Sequence, residues 1–176
     1  EMEGSIFPDS YRFSSDAILD EIVLTTRDNF ESKVEVGTSE EDVIVASMLE
    51  KEVRTFEDMR LVAGIMKKRM EIGMPLQIDA TVAYGVCRNS WVIGNDCDVT
   101  QVNLVDNIPR DSAYNTYTRQ GLPVGPISNQ GLAAIQAAQN PEPSDYLYYL
   151  SAKDGETIFA RTLSEHSVAR RKYLGL

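Results

Sequence analysis

The run Ser39 to Phe56, SEEDVIVASMLEKEVRTF, fixes one element of this chain before anything else about it is known. Ser39 followed by an acidic residue at Asp42 is the signature of a capping box, which pairs backbone amides that the first turn of a helix otherwise leaves unpartnered. Beyond that start, Val45, Met48, Leu49, Glu52 and Phe56 fall at helical spacing and share one face. All but Glu52 are apolar, so this face packs inward and other elements must cover it. A carboxyl on an apolar face loses water, which disfavours its charged form, raises its pKa and lets it hold a proton nearer neutral pH. A general acid needs that property. Spacing alone leaves the alternative open that Glu52 is a solvated residue near a helix end. Glu50 lies roughly 200° around the same helix, beside Val43, Ala46 and Ser47, with Arg54 one turn on as its expected ion-pair partner.

The same logic organises the flanking sequence. Ser14 and Ser15 precede a first helix expected over 16–30, with Ile18, Ile22, Val23 and Phe30 inward. Thr55 and Asp58 start a third, running to about Ile72 with Met59, Val62, Ala63, Met66 and Met70 inward and Gly73 as its stop; its methionines are core filler. After Met74-Pro75, the segment Leu76 to Tyr84 alternates polar Gln77, Asp79 and Thr81 with apolar and β-branched residues, and reads as a strand. Its polar face either lines a cleft or is simply solvated. Residues 85–113 read as an irregular excursion carrying both cysteines and the single Trp91, which is more at home closing a local cluster than stacking on a sugar. Tyr114-Asn115-Thr116-Tyr117 then leads into a Gly- and Pro-rich turn over 121–127, the kind of rigid loop that holds binding residues in place. An Ala-rich helix from Ser128 or Asn129 to Asn140, a hairpin of 146–152 and 157–161, and a terminal helix over 164–173 complete the chain. Helices and short strands come in mixed order without regular alternation, so the fold class is α+β, a single compact domain.

Composition narrows the function. The 176 residues, 43% hydrophobic, suffice for one domain with a core, and a formal net charge of -10 argues against nucleic acid as a partner. The basic clusters Lys67-Lys68-Arg69 and Arg170-Arg171-Lys172 sit late in their helices, where cations suit the dipole. No run approaches the roughly 20 apolar residues of a membrane span, and no signal peptide opens the chain; a start at Glu1 rather than Met reads as an excised piece. Cys87 and Cys97 with His166 far away make a poor metal set, so no metal is expected. Whether the two thiols are bonded depends on the compartment and stays open. No pyridoxal-phosphate lysine setting and no phosphate-binding Gly loop is present, so no cofactor is expected. His166 titrates in the right range for a general base, yet a lone His near a C-terminus is more often a structural hydrogen-bonder, and it stays outside the expected catalytic set.

Several segments together resemble the catalytic domain of the MltG-type (YceG-like) endolytic murein transglycosylases: EGSIFPDSYRF at 3–13, VASMLEKEV at 45–53, GMPLQIDATVAYG at 73–85, YNTYTRQGLPVGPISNQG at 114–131, DYLYYLSAKDG at 145–155 and EHS at 165–167. They cover most of the chain in the family's order. Ala80, Val124 and Gln130 stand where family members usually have Pro, Ser167 where they have Asn, and the stretch over 86–107 follows no family pattern. The resemblance implies that Glu52, the second Glu of the Glu-Lys-Glu motif, is the catalytic acid, the residue the helical stripe selects independently. It implies cleavage of the β-1,4 bond between N-acetylmuramic acid and N-acetylglucosamine with a 1,6-anhydro end, one carboxyl giving and then taking a proton. Gln77, Asp79, Asn115 and Tyr117, with Tyr114 and Glu50 behind them, are the expected substrate-binding residues. Family members carry a single N-terminal membrane anchor and a LysM-like subdomain ahead of the catalytic part, on the outer side of the cytoplasmic membrane. Glycan strands are the implied partner, with peptidoglycan synthases as candidates beside them. Two rival functions are a glycan-binding scaffold without activity and, should Asp79 act as a second carboxylate, a muramidase-type hydrolase.

Overall fold

The computed structural model describes residues 2–175. Seven α-helices and one two-stranded antiparallel sheet make up these residues, the α+β class expected. In chain order the helices are α1 (Leu19–Lys33), α2 (Glu40–Glu52), α3 (Phe56–Glu71), α4 (Asp79–Val92), α5 (Leu104–Asn107), α6 (Leu132–Gln139) and α7 (Leu163–Leu174). Strands β1 (Tyr148–Ser151) and β2 (Thr157–Ala160) form a hairpin between α6 and α7, in a register that sets Tyr149 opposite Phe159. Among the described residues, no helix is long and apolar enough to cross a membrane.

The capping box of α2 forms as expected, Ser39 Oγ accepting from Asp42 N–H and Asp42 Oδ2 accepting from Ser39 N–H at 2.9 Å. Its inward face, with Met48 and Leu49 fully buried, meets Val62 and Met66 of α3 and Ile135 of α6 in the main core. Gly64 makes the tight fit of α3 possible: a Cβ at this position would lie 1.9 Å from the carbonyl oxygen of Glu142, so only glycine admits the loop after α6. Gly73, at φ +68°, ends the α3 region where the sequence places the stop.

Two expectations fail. The segment read as a strand over 76–84 forms no strand: residues 76–78 are irregular, and α4 starts at Asp79 and buries Thr81 through Gly85 and Cys87. β-Branched residues and polar alternation point to a strand. Here, however, Thr81 closes the first turn by donating to Ile78 O at 2.6 Å, and α2 and α5 cover the helix with no strand alongside. The first part of the presumed irregular excursion, up to Val92, is therefore the rest of α4. α1 begins three residues later than expected, at Leu19, and leaves Ile18 exposed. Its start is fixed by Glu21, whose carboxylate accepts from Ile18 N–H, and not by the serines at 14 and 15.

Cys87 and Cys97 are bonded, pinning the end of α4 to the chain beyond it, and Trp91 closes this corner by donating to Cys97 O and setting its edge against Tyr84. The Gly- and Pro-rich turn is fastened to α2: Ile127 N–H donates to Ser47 Oγ and Ser128 Oγ donates to Ser47 O. The hairpin and α7 share a smaller core built on Leu150, Ala152 and Ala169, and this piece forms one wall of the main cavity.

Candidate active site

A cavity of about 660 Å³ opens where the end of α2, the α3–α4 connection, the hairpin and α7 meet. Glu52, the last residue of α2, is on its wall together with Gln77, Asp79 and Tyr117. Four of the seven residues singled out from sequence thus line one space.

Glu52 reaches this wall because the stripe that buries Met48 and Leu49 carries one turn further, to the point where α2 stops. Its Oε2 accepts a hydrogen bond from the Tyr149 hydroxyl at 2.8 Å, and Ser151 Oγ donates to its backbone carbonyl. Burial raises the Glu52 pKa above the ordinary carboxylate value, and the negative charge of Asp79 adds to this; the Tyr149 hydrogen bond pulls the other way. The C-terminal end of a helix, with its partial negative charge, is also a poor place for an anion. The group therefore keeps its proton to higher pH than a solvated glutamate.

Asp79 Oδ1 accepts from the Tyr117 hydroxyl at 2.5 Å. Burial, then this carboxylate, push the Tyr117 phenol well up, and burial followed by the Glu52 charge do the same for Tyr149, so both phenols remain donors. Gln77 has φ +56°, the one non-glycine residue among those described with a positive φ. The neighbouring backbone holds it there, Gln77 N–H donating to Thr116 O and Ile78 N–H to Thr116 Oγ1. A side chain in this region costs about 1–2 kcal/mol, and strain of this kind collects at functional positions.

The other three expected binding residues are not on the cavity wall. Asn115, 1% exposed, donates to Ile108 O and Arg110 O while its Oδ1 accepts from Tyr117 N–H, so it shapes the turn that presents Tyr117. Tyr114 is buried against the Tyr84 ring, 4.9 Å between centroids. Glu50 accepts from Gly131 N–H at 3.1 Å, capping α6, and the expected pair with Arg54 does not form because α2 ends at Glu52 and Arg54 lies beyond the turn. No group of acidic, His or Cys side chains suited to a metal occurs among the described residues.

Arg69, Tyr148, Tyr149, His166 and Arg170 are also on the wall; from sequence, His166 is weighed and set aside, Arg69 and Arg170 read only as helix-end cations, and nothing singles out the two tyrosines. Arg69 was legible: it continues the Met59, Val62, Met66 stripe of α3, so the argument that selects Glu52 selects a buried cation here. The tyrosines come from a hairpin far along the chain, and no local pattern ties them to α2.

The sequence pattern of the YceG-like family matches residues 1–172. The endolytic murein transglycosylase of Bacillus subtilis (strain 168) is 34% identical over 183 residues, covering 98% of this chain and 48% of that protein. The protein of the same name from Streptococcus pneumoniae (strain R6) is 29% identical over 94% of this chain and 31% of its own length. A crystal structure of a yceG-like protein from Listeria monocytogenes superposes with a TM-score of 0.78 at 31% identity, over 96% of this chain and 55% of that one. The chain thus spans about half, or less, of the length of the curated relatives it matches.

Proposed function

The chain belongs to the YceG-like family, and we propose that it is the catalytic part of an endolytic peptidoglycan lytic transglycosylase acting on glycan strands. The observation that carries this reading is Glu52, a single acid with a raised pKa on the wall of the cavity of about 660 Å³. Protonated Glu52 donates to the glycosidic oxygen as the bond from C1 of N-acetylmuramic acid to that oxygen breaks. The C6 hydroxyl oxygen then attacks C1 and its proton passes to the Glu52 carboxylate, closing the 1,6-anhydro ring and restoring the acid. Gln77 and the Tyr117 hydroxyl are placed to support the developing positive charge and the acetamido groups; Asn115 acts on substrate only through the turn that carries Tyr117.

Asp79 favours a second reading. A carboxylate near enough to raise the Glu52 pKa is also a candidate base for water, which would make the enzyme a muramidase. Its hydrogen bond from Tyr117 supports the first reading, in which Asp79 holds the Tyr117 hydroxyl toward substrate. We place the full-length protein on the extracytoplasmic face of the membrane, held by an anchor and working beside peptidoglycan synthases. The Cys87–Cys97 disulfide supports an oxidising compartment.

Incubation of this domain and its Glu52→Gln variant with uncrosslinked glycan strands, followed by mass spectrometry, tests the proposal. Shortened strands ending in anhydro sugars from the wild type alone are expected. Products heavier by one water would establish hydrolysis, and binding without cleavage by both proteins would leave a scaffold.

A further inference from the structure

The cavity wall carries two sets of ionisable groups of opposite character. Glu52 and Asp79 form one; Arg69, His166 and Arg170 form the other. Arg69 is only 6% exposed, yet its hydrogen bonds run to backbone carbonyls alone: Nε to Leu147 O, Nη1 to Leu76 O and to Pro75 O. No carboxylate among the described residues pairs with it. A buried guanidinium without a counter-ion is costly, and its Nη2 makes no hydrogen bond to the described residues. The guanidinium lies 5.2 Å from the Tyr148 ring, and the same ring stacks with the His166 imidazole at 5.4 Å. Arg170, one turn beyond His166 on α7, adds a second unpaired guanidinium. Neither His166 nor Arg170 hydrogen-bonds any described residue through its side chain, and burial, then Arg170 and Arg69, lower the His166 pKa, which registers the positive field at this spot.

The glycan reading supplies the anion. Peptidoglycan strands alternate two sugars joined by the same linkage, so a strand slipped by one sugar presents the wrong C1 to Glu52. The two sugars differ in one charged group: muramic acid carries a lactyl ether whose carboxylate is free on bare strands and amide-linked to a peptide on substituted ones, where the peptide brings its own carboxylates. Resting on the proposed function, we propose that Arg69, His166 and Arg170 form a subsite for this muramyl-borne carboxylate and so set the register of the strand across Glu52.

Glu52→Gln protein, which binds without cutting, is titrated by calorimetry with tetrasaccharides of the alternating sequence in matched pairs. One pair has lactyl carboxylates free or converted to primary amides; the other bears stem peptides with carboxylates free or amidated. The free member of a pair is expected to bind about tenfold more tightly, as for a charge-assisted contact. Adding Arg170→Ala or His166→Gln should shrink the gap to about threefold or less. Arg69 is left intact because it also ties three carbonyls together. A gap in the lactyl pair makes the lactyl group the ligand, and a gap confined to the peptide pair makes it the stem; either supports the subsite. Equal affinity within both pairs, or a gap the two substitutions leave intact, overturns it while leaving the glycan reading standing. No binding of any tetrasaccharide by folded protein overturns the glycan reading and the subsite together.

Discussion

Replacing Tyr149 with Phe removes the hydroxyl that donates to Glu52 Oε2 at 2.8 Å and little else. A hydrogen bond to a charged group contributes about 1.5–3 kcal/mol, and one pKa unit corresponds to about 1.4 kcal/mol. Part of that bond survives protonation, because a neutral carboxyl still pairs with a phenol, so roughly half the difference, about one unit, is expected to appear in the pKa. The bond favours the charged form, so its loss moves Glu52 further up. If protonated Glu52 is the acid, the alkaline limb of kcat/KM for strand cleavage moves about one pH unit higher in Tyr149→Phe. Asp79→Asn removes a charge that raises the Glu52 pKa and should move the titration the opposite way. A pH series of product release gives the first measurement. Carbon NMR of labelled glutamate carboxyls gives the same titration without relying on turnover. A Tyr149→Phe midpoint that stays within about 0.3 unit of wild type, or moves toward acid, refutes the assignment of this hydrogen bond as a control on the acid.

Four further outcomes are expected. Because the Glu52 pKa is raised in the fold, the native state binds more protons than the unfolded chain above the ordinary carboxylate range, and stability falls as pH climbs toward the folded value. Glu52→Gln should therefore raise Tm near neutral pH and not in mild acid, each kcal/mol recovered giving about 2–4 °C by calorimetry. Gln77→Gly relieves the positive φ and should hold or raise stability by up to about 1 kcal/mol in a urea melt while lowering kcat/KM. Asn115→Ala unpairs two buried carbonyls and should cost about 2–4 kcal/mol by the same melt, with substrate affinity lost only as the turn loosens. Reducing the Cys87–Cys97 bond, which closes a separation of 10 residues, should lower stability by about 2–3 kcal/mol, read as a Tm drop with dithiothreitol.

Where local periodicity carried the information, the fold was readable. Glu52 stood out because α2 is capped at Ser39 and carries an apolar stripe that leads to the cavity wall, and the hairpin because Lys153-Asp154-Gly155-Glu156 separates two β-prone runs. α4 was misread because Thr81, Val82 and Tyr84 are strand formers by preference and only burial on several sides makes them helical. The tyrosine that tunes the acid is 97 residues from it in the chain, a distance no pattern spans. Asn115, expected among the substrate-binding residues, commits its side chain to four backbone groups: from sequence, such a residue looks like one waiting for a ligand.

The hydroxyl of Tyr149 has a mechanical side. Besides Ser151 to the Glu52 carbonyl, Thr157 to Asp58 and Arg69 to Leu147, it is one of the few polar clasps that fasten the hairpin to the helical body. Acidity and closure of the groove thus share one joint. A substitution at this position that changes the acidity of Glu52 must also re-secure a wall, which restricts how freely this site can drift.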